Sequence, residues 1–316
     1  MALDLFKREK LEVKFLAVEK LNILYNLLTT LLIIIFFNRL NDPREMLMGR
    51  FIIAAATFVV IYAYTQYPSK AIRLVRIVSQ MCLLSYWYPD TFEFNRIFPN
   101  LDHLFATLEL DIFACQPALL FDQACSTLFW REAFNMGYWL YYPMIALVSF
   151  FYFFRRPKDV ERCTFVIMSS FFLYYLIYIF LPVAGPQFYF PVIGDELAVA
   201  GPYPEIGDYF NLNPEITIAQ EGKGGLFTEL VGVAQSSGER PTAAFPSSHI
   251  GITVILVMLA FRAKRLLAYI LFPIFVLLCC ATVYIKAHYL VDAIAGLATG
   301  VMLYYFTTWL YKRFIQ

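Results

Sequence analysis

The chain holds three histidines, and two of them stand where histidine is unusual. His249 lies in Ala244-Phe245-Pro246-Ser247-Ser248-His249-Ile250-Gly251, at the entry to an apolar run. His288 lies in Tyr284-Ile285-Lys286-Ala287-His288-Tyr289-Leu290-Val291-Asp292, between two apolar runs. Pro-Ser-Ser-His ahead of apolar residues reads as a helix start, with a serine N-cap and free backbone N–H groups behind it. A helix N-terminus of that kind, with Ser247 and Ser248 beside it, suits an anion. His288 and Asp292 are four apart, so on one helix they face the same side. The carboxylate then accepts from one ring nitrogen and leaves the other as a lone-pair nucleophile. Arg240, Lys223 and Lys286 supply positive charge for phosphate oxygens. The pattern points to phosphoryl transfer through histidine without a cofactor, since no His/Cys/Asp cluster has metal-ligand spacing.

These residues must be positioned by elements of a membrane protein. Residues of the AVILMFWYC set make up 60% of the 316 positions and charged residues only 16%, too apolar a balance for one soluble core. A net charge of +1 with no dense basic face excludes a nucleic-acid partner. A membrane span needs about 20 mostly apolar residues. Eight stretches approach this, near 17–37, 51–66, 75–88, 135–154, 163–183, 248–261, 266–286 and 289–311. The third is short and ends in Tyr86-Trp87-Tyr88. No A-x-A-like site ends the first stretch, so it is read as a retained span rather than a signal peptide. The expected fold is all-α, a polytopic integral membrane helical bundle of six to eight spans. Its N-terminal spans and outer segment occupy 1–134 and its catalytic helical core 135–316.

Lys and Arg remain on the cytoplasmic side of a membrane. Arg155, Arg156, Lys158 and Arg162 fill one short connection, and Arg262, Lys264 and Arg265 another. Lys70, Arg73 and Arg76 follow the second span, and Lys312 and Arg313 the last. Placing these inside gives cytoplasmic termini and puts both histidines on the outer side, periplasmic or lumenal. The two long connections, 89–134 and 184–246, then lie outside, and both are acidic. Within the first, leucines and phenylalanines from Leu101 to Phe121 interleave with acids, as in short amphipathic helices lying in the interface. Trp139, Tyr141, Tyr142, Tyr304, Tyr305 and Trp309 fit aromatic belts at span ends. Cys115 and Cys125 share the outer segment, where an oxidising compartment permits a disulfide. The other four cysteines sit in apolar runs.

The segments Phe245-Pro246-Ser247-Ser248-His249 and His288-Tyr289-Leu290-Val291-Asp292-Ala293-Ile294-Ala295-Gly296 resemble the second and third signature motifs of the type 2 phosphatidic acid phosphatase superfamily. The resemblance covers about 163–305. It implies that His288 attacks phosphorus and becomes a phosphohistidine, that Asp292 orients it, and that His249 protonates the leaving group. It further implies that Ser247 and the adjacent N–H groups hold phosphate oxygens. Two positions depart from the family pattern: Val233 replaces a lysine seven before Arg240-Pro241, and Thr282 replaces an arginine six before His288. Leu181-Pro182-Val183-Ala184-Gly185-Pro186 and Gly222-Lys223-Gly224-Gly225-Leu226 resemble the inositol phosphorylceramide synthase-like, or inositolphosphotransferase, branch. That branch transfers a phosphorylated head group between lipids.

The expected partners are therefore a phospholipid or lipid phosphate donor, a lipid alcohol acceptor, and the membrane itself. The expected activity leans towards head-group transfer, with plain hydrolysis of a phosphatidic acid or polyprenyl diphosphate as the alternative. A transporter would carry ionisable residues near mid-span, whereas here they cluster at span ends. A vanadium haloperoxidase uses a similar histidine constellation but not so apolar a chain.

Overall fold

The computed structural model describes residues 5–11, 14–213 and 224–315, and within them it is built of helices with no strand. In chain order the N-terminal helices are α1 (Ala17–Ile35), α2 (Pro43–Gln66), α3 (Lys70–Cys82) and α4 (Leu84–Asn95). Next come α5 (Asp102–Phe113), α6 (Pro117–Ala124), α7 (Leu128–Trp139), α8 (Tyr141–Arg155) and α9 (Val160–Phe180). Three short helices follow, α10 (Pro186–Ile193), α11 (Asp195–Ala200) and α12 (Tyr209–Leu212). The last four are α13 (Leu226–Gly238), α14 (Ser248–Ala263), α15 (Arg265–Tyr284) and α16 (Leu290–Phe314).

Five of these, α1, α2, α9, α15 and α16, are long and apolar enough to cross a membrane; counting each bent pair as one span raises the number to seven. The bent pairs are α5–α6, at 63°, and α7–α8, at 42°. α14 is apolar but shorter. The polytopic helical bundle expected from composition is thus what forms. Its third stretch, near 75–88, is not one span: it breaks at Leu83 between α3 and α4. Position 134/135 lies inside α7.

Two kinds of contact hold the bundle. Among the N-terminal helices they are buried ion pairs. Two guanidinium contacts from Arg76 on α3 reach the Glu19 carboxylate on α1 at 2.7 Å. Arg50 on α2 meets Asp90 on α4 at 2.7 and 2.5 Å. All four side chains are almost fully buried. Arg76 is therefore not an exposed flank, and Asp90 is not part of an open acidic loop. Each charge is inside because its partner is; removing either one would leave an uncompensated buried charge.

In the C-terminal half, small residues let backbones touch. A Cβ added at Gly300 would stand 2.7 Å from the Gly251 carbonyl oxygen, and one at Gly296 would stand 2.6 Å from that of Ser247. α14 and α16 pack at this backbone distance, the arrangement small residues permit in membrane bundles. Packing at that distance carries Ser247, Ser248 and His249 up to the start of α16, beside Asp292.

Candidate active site

Ser247 caps α14, its Oγ accepting from the Ile250 N–H at 3.4 Å. Its own N–H donates to the Asp292 carbonyl at 3.1 Å, joining the two motif segments through the backbone. From α9, the Tyr178 hydroxyl accepts from the Ser248 N–H at 3.0 Å and donates to the Pro246 carbonyl at 2.9 Å. The helix start read from the sequence is present, but two of its free N–H groups are already used. Ser247 is wholly buried. Ser248 and His249 are the members of this motif that face the cavity.

His288 stands in the connection between α15 and α16, with its N–H bonded to the Thr282 carbonyl at 3.0 Å. The rings of His249 and His288 lie 5.8 Å apart between centroids. The fold thus brings together the two histidines singled out by type and spacing. Their expected wiring is different, however. His288 Nδ1 lies 2.8 Å from the Ala244 carbonyl oxygen, while the nearest Asp292 oxygen is 3.7 Å away. The second distance is too long for a hydrogen bond. That Asp292 oxygen instead accepts the Tyr289 N–H at 2.9 Å, capping α16. A carbonyl only accepts, so Nδ1 carries the hydrogen and Nε2 keeps its lone pair. Burial lowers the pKa of His288 to about 4, against opposing effects of the Ala244 bond and of Glu239. At neutral pH the ring is uncharged.

The three expected cations part company. Arg240 lines both cavities at the site. Lys286 does not: its ammonium pairs with Asp122 at 3.1 Å, and its backbone has a positive φ of 63°. Lys223 lies outside the described residues. Cys115 and Cys125 are free thiols in this structure, and the expected disulfide does not join them there.

Sequence reasoning missed four side chains here. Tyr138 stacks on the His249 ring at 4.7 Å and 28°, and Tyr141 leans on it at 4.7 Å and 48°. Tyr141 is thus part of the site wall and not of an interfacial belt. Asp102 and Glu109 on α5 reach the connections that lead into and out of the candidate site. Asp102 accepts from the N–H groups of Ala184 and Gly185, at 2.7 and 2.8 Å, and from the Tyr289 hydroxyl at 3.1 Å. Gly185 adopts a positive φ of 96° with its Cα against the Ala287 carbonyl, a place that no side chain would fit. Glu109 accepts from the first N–H groups of α16, at Leu290 (3.1 Å) and Val291 (3.5 Å). A signal existed: the buried face of α5 is Asp102, Ala106 and Glu109, two acids at the helical repeat where an interfacial helix would show apolar residues.

Below the histidines a cavity of about 640 Å³ opens, lined mainly by apolar side chains of α3, α4, α8 and α9 and reaching Glu239, Arg240, Ser248 and His249 at its polar end. A smaller space of about 20 Å³ adjoins His288 and shares that polar end.

No curated protein and no solved structure matches the chain. A family model described as the PAP2 superfamily matches residues 122–306, which contain both histidines. The chain therefore belongs to the PAP2 superfamily and is a membrane enzyme of the phosphatase or phosphotransferase type that acts on lipid phosphates.

Proposed function

We propose that the protein transfers a phosphorylated head group from a donor lipid to an acceptor by way of His288. The observation that carries this reading is the continuity between the histidine pair and the 640 Å³ apolar cavity. That volume falls within the roughly 300–1,000 Å³ typical of ligand sites. It gives an acyl chain room beside the reacting centre, and its polar end receives the head group.

In the first step Nε2 of His288 attacks phosphorus and the bond from phosphorus to the lipid oxygen breaks. His249, which takes up a proton when the anionic substrate binds, gives that proton to the leaving alkoxide. In the second, the acceptor hydroxyl attacks phosphorus, its proton passes to His249, and the bond to His288 breaks. The Ala244 carbonyl keeps His288 in the reactive tautomer throughout, and Arg240 faces the phosphate oxygens.

Hydrolysis is a second reading with its own support. The space beside His288, about 20 Å³, has room for about one water molecule. Donor lipid labelled in phosphate, incubated with purified protein and a long-chain alcohol acceptor, separates the two. Label in a new lipid supports transfer, label only in water-soluble phosphate supports hydrolysis, and the absence of acid-labile label on the protein overturns the phosphohistidine step.

We further infer that the site faces the outer side of the membrane. α14 runs 16 residues from the site to Ala263, or about 24 Å at 1.5 Å per residue. There Arg156 donates to the Ala263 carbonyl at 2.7 Å, joining the two basic connections at the far end. A single cysteine at Lys158, in a background without native cysteines, should resist an impermeant thiol reagent in intact cells; labelling there would reverse the orientation.

A further inference from the structure

Glu239 follows α13 and lines both the small space beside His288 and the large cavity. The two transfer steps give it no part. Its Oε1 accepts from the Tyr138 hydroxyl at 2.8 Å, and its Oε2 from the Gln187 and Gln235 side-chain amides at 2.9 and 3.4 Å. Amide N–H groups only donate, so Oε2 is held as an acceptor and the three contacts favour the ionised carboxylate. Burial works the other way and raises its pKa. Among the described residues, no lysine, arginine or histidine nitrogen lies within ion-pair distance of it, and its neighbour Arg240 is no exception.

A carboxylate is an odd companion for a phosphate. A dianionic monoester head group would be repelled by Glu239 and would meet Arg240 as the only described cation lining the cavity, Lys286 being engaged by Asp122. A neutral polyol head group would leave the buried charge without a counter-ion. A zwitterionic head group satisfies both ends, its phosphodiester carrying one negative charge towards Arg240 and its ammonium one positive charge towards Glu239. Tyr88 and Tyr138 line the same two spaces, and aromatic rings with a carboxylate suit an alkylated ammonium.

We propose that Glu239, with Tyr88 and Tyr138, forms a subsite for the ammonium of a zwitterionic phospholipid, so that the group transferred is an amino-alcohol phosphate. This rests on the transfer reading above, and it names the substrate class that the reading leaves open.

The test is equilibrium binding in maltoside micelles, followed by calorimetry. The probes are hexadecylphosphocholine and its anionic isostere, hexadecyl 3,3-dimethylbutyl phosphate, in which an uncharged carbon replaces the ammonium nitrogen and the phosphodiester is kept. The wild-type protein should bind the first roughly tenfold or more tightly than the second. In Glu239→Gln that ratio should fall close to one. A wild-type ratio near one, or a ratio that survives in Glu239→Gln, overturns the proposal. The wild-type comparison needs no variant to fold. Because binding is read and not turnover, a protein inert towards every lipid phosphate would sink the enzymatic reading while still deciding this one.

Discussion

The N-terminal helices and the C-terminal half are both helical and apolar, yet they are joined by different forces. In the C-terminal half, glycines bring α14 and α16 into backbone contact, and main-chain bonds such as that from Ser247 to Asp292 link the two motif segments. In the N-terminal region, cohesion comes from charges that find each other: Glu19 with Arg76, and Arg50 with Asp90. Charge also connects the two regions, through Asp102 and Glu109 on α5. The family match begins at 122, so these carboxylates and all of the α3 and α4 cavity wall lie outside it. The difference teaches that the C-terminal half holds the candidate reacting histidines, while the N-terminal region braces their connections and supplies much of the cavity wall.

If that division is right, damage to the two regions should have different signatures. The largest effect is expected in His288→Ala. Turnover of both a lipid substrate and nitrophenyl phosphate should vanish, and acid-stable and acid-labile trapping alike should find no phosphoprotein. Substantial activity on both substrates would remove His288 from the centre of the comparison.

His249→Ala should come next. Loss of a general acid costs roughly 10²–10⁴-fold, and the loss should be full with a lipid alkoxide leaving group. Nitrophenolate leaves without a proton, so that substrate should be partly spared. Equal losses on the two would mean that His249 binds phosphate and does not donate.

On the N-terminal side, Arg50→Ala should cost about 3–5 kcal/mol of stability by stranding Asp90, read as a fall in thermal midpoint in detergent. The folded fraction should still turn over nitrophenyl phosphate. Asp102→Ala tests the joint between the regions. It strips the acceptor from two buried N–H groups and the Tyr289 hydroxyl, at about 1–3 kcal/mol for each unsatisfied group. Here both the thermal midpoint and kcat should drop. If only stability changes, α5 is a brace and does not position the catalytic connections.

The pH profile gives a smaller but signed effect. His288 is protonated only as pH falls through about 4, well below the usual value of about 6.5. The nucleophile should therefore stay available through pH 5–6, where an ordinary histidine would be half charged. Linkage has the same sign: the unfolded chain takes up this proton first, so stability from neutral His288 is full above about 6.5 and is lost as pH falls towards 4. An acid limb in kcat/KM near 6.5 on nitrophenyl phosphate would contradict the buried neutral ring. Lys286→Ala should do least, since its pair with Asp122 is a third exposed on each side, and such pairs contribute about 0–1 kcal/mol. A large loss of activity there would restore it as a phosphate ligand.

How much of this was legible follows from the range of the forces involved. Composition and run length alone gave a membrane bundle, because hydrocarbon accepts only long apolar helices with satisfied backbones. Local chemistry gave His249 at a helix start and His288 before another, since capping preferences act over three or four residues. Their meeting at 5.8 Å was inferred from topology. The partner of His288 was not legible. Its spacing favoured Asp292, but that carboxylate turned to the nearer Tyr289 N–H, and a carbonyl 44 positions away took the ring. Acids counted as an open outer surface proved to be internal at Asp90, Asp102 and Glu109, because an acid is buried where the folded chain delivers a cation or hydrogen-bond donors to it. The sequence by itself therefore determined what must lie in the membrane and which side chains can react. Only the tertiary structure decided which charges were spent on holding the site and which were left to meet a substrate, because hydrogen-bond and ion-pair partners are chosen by distance in space.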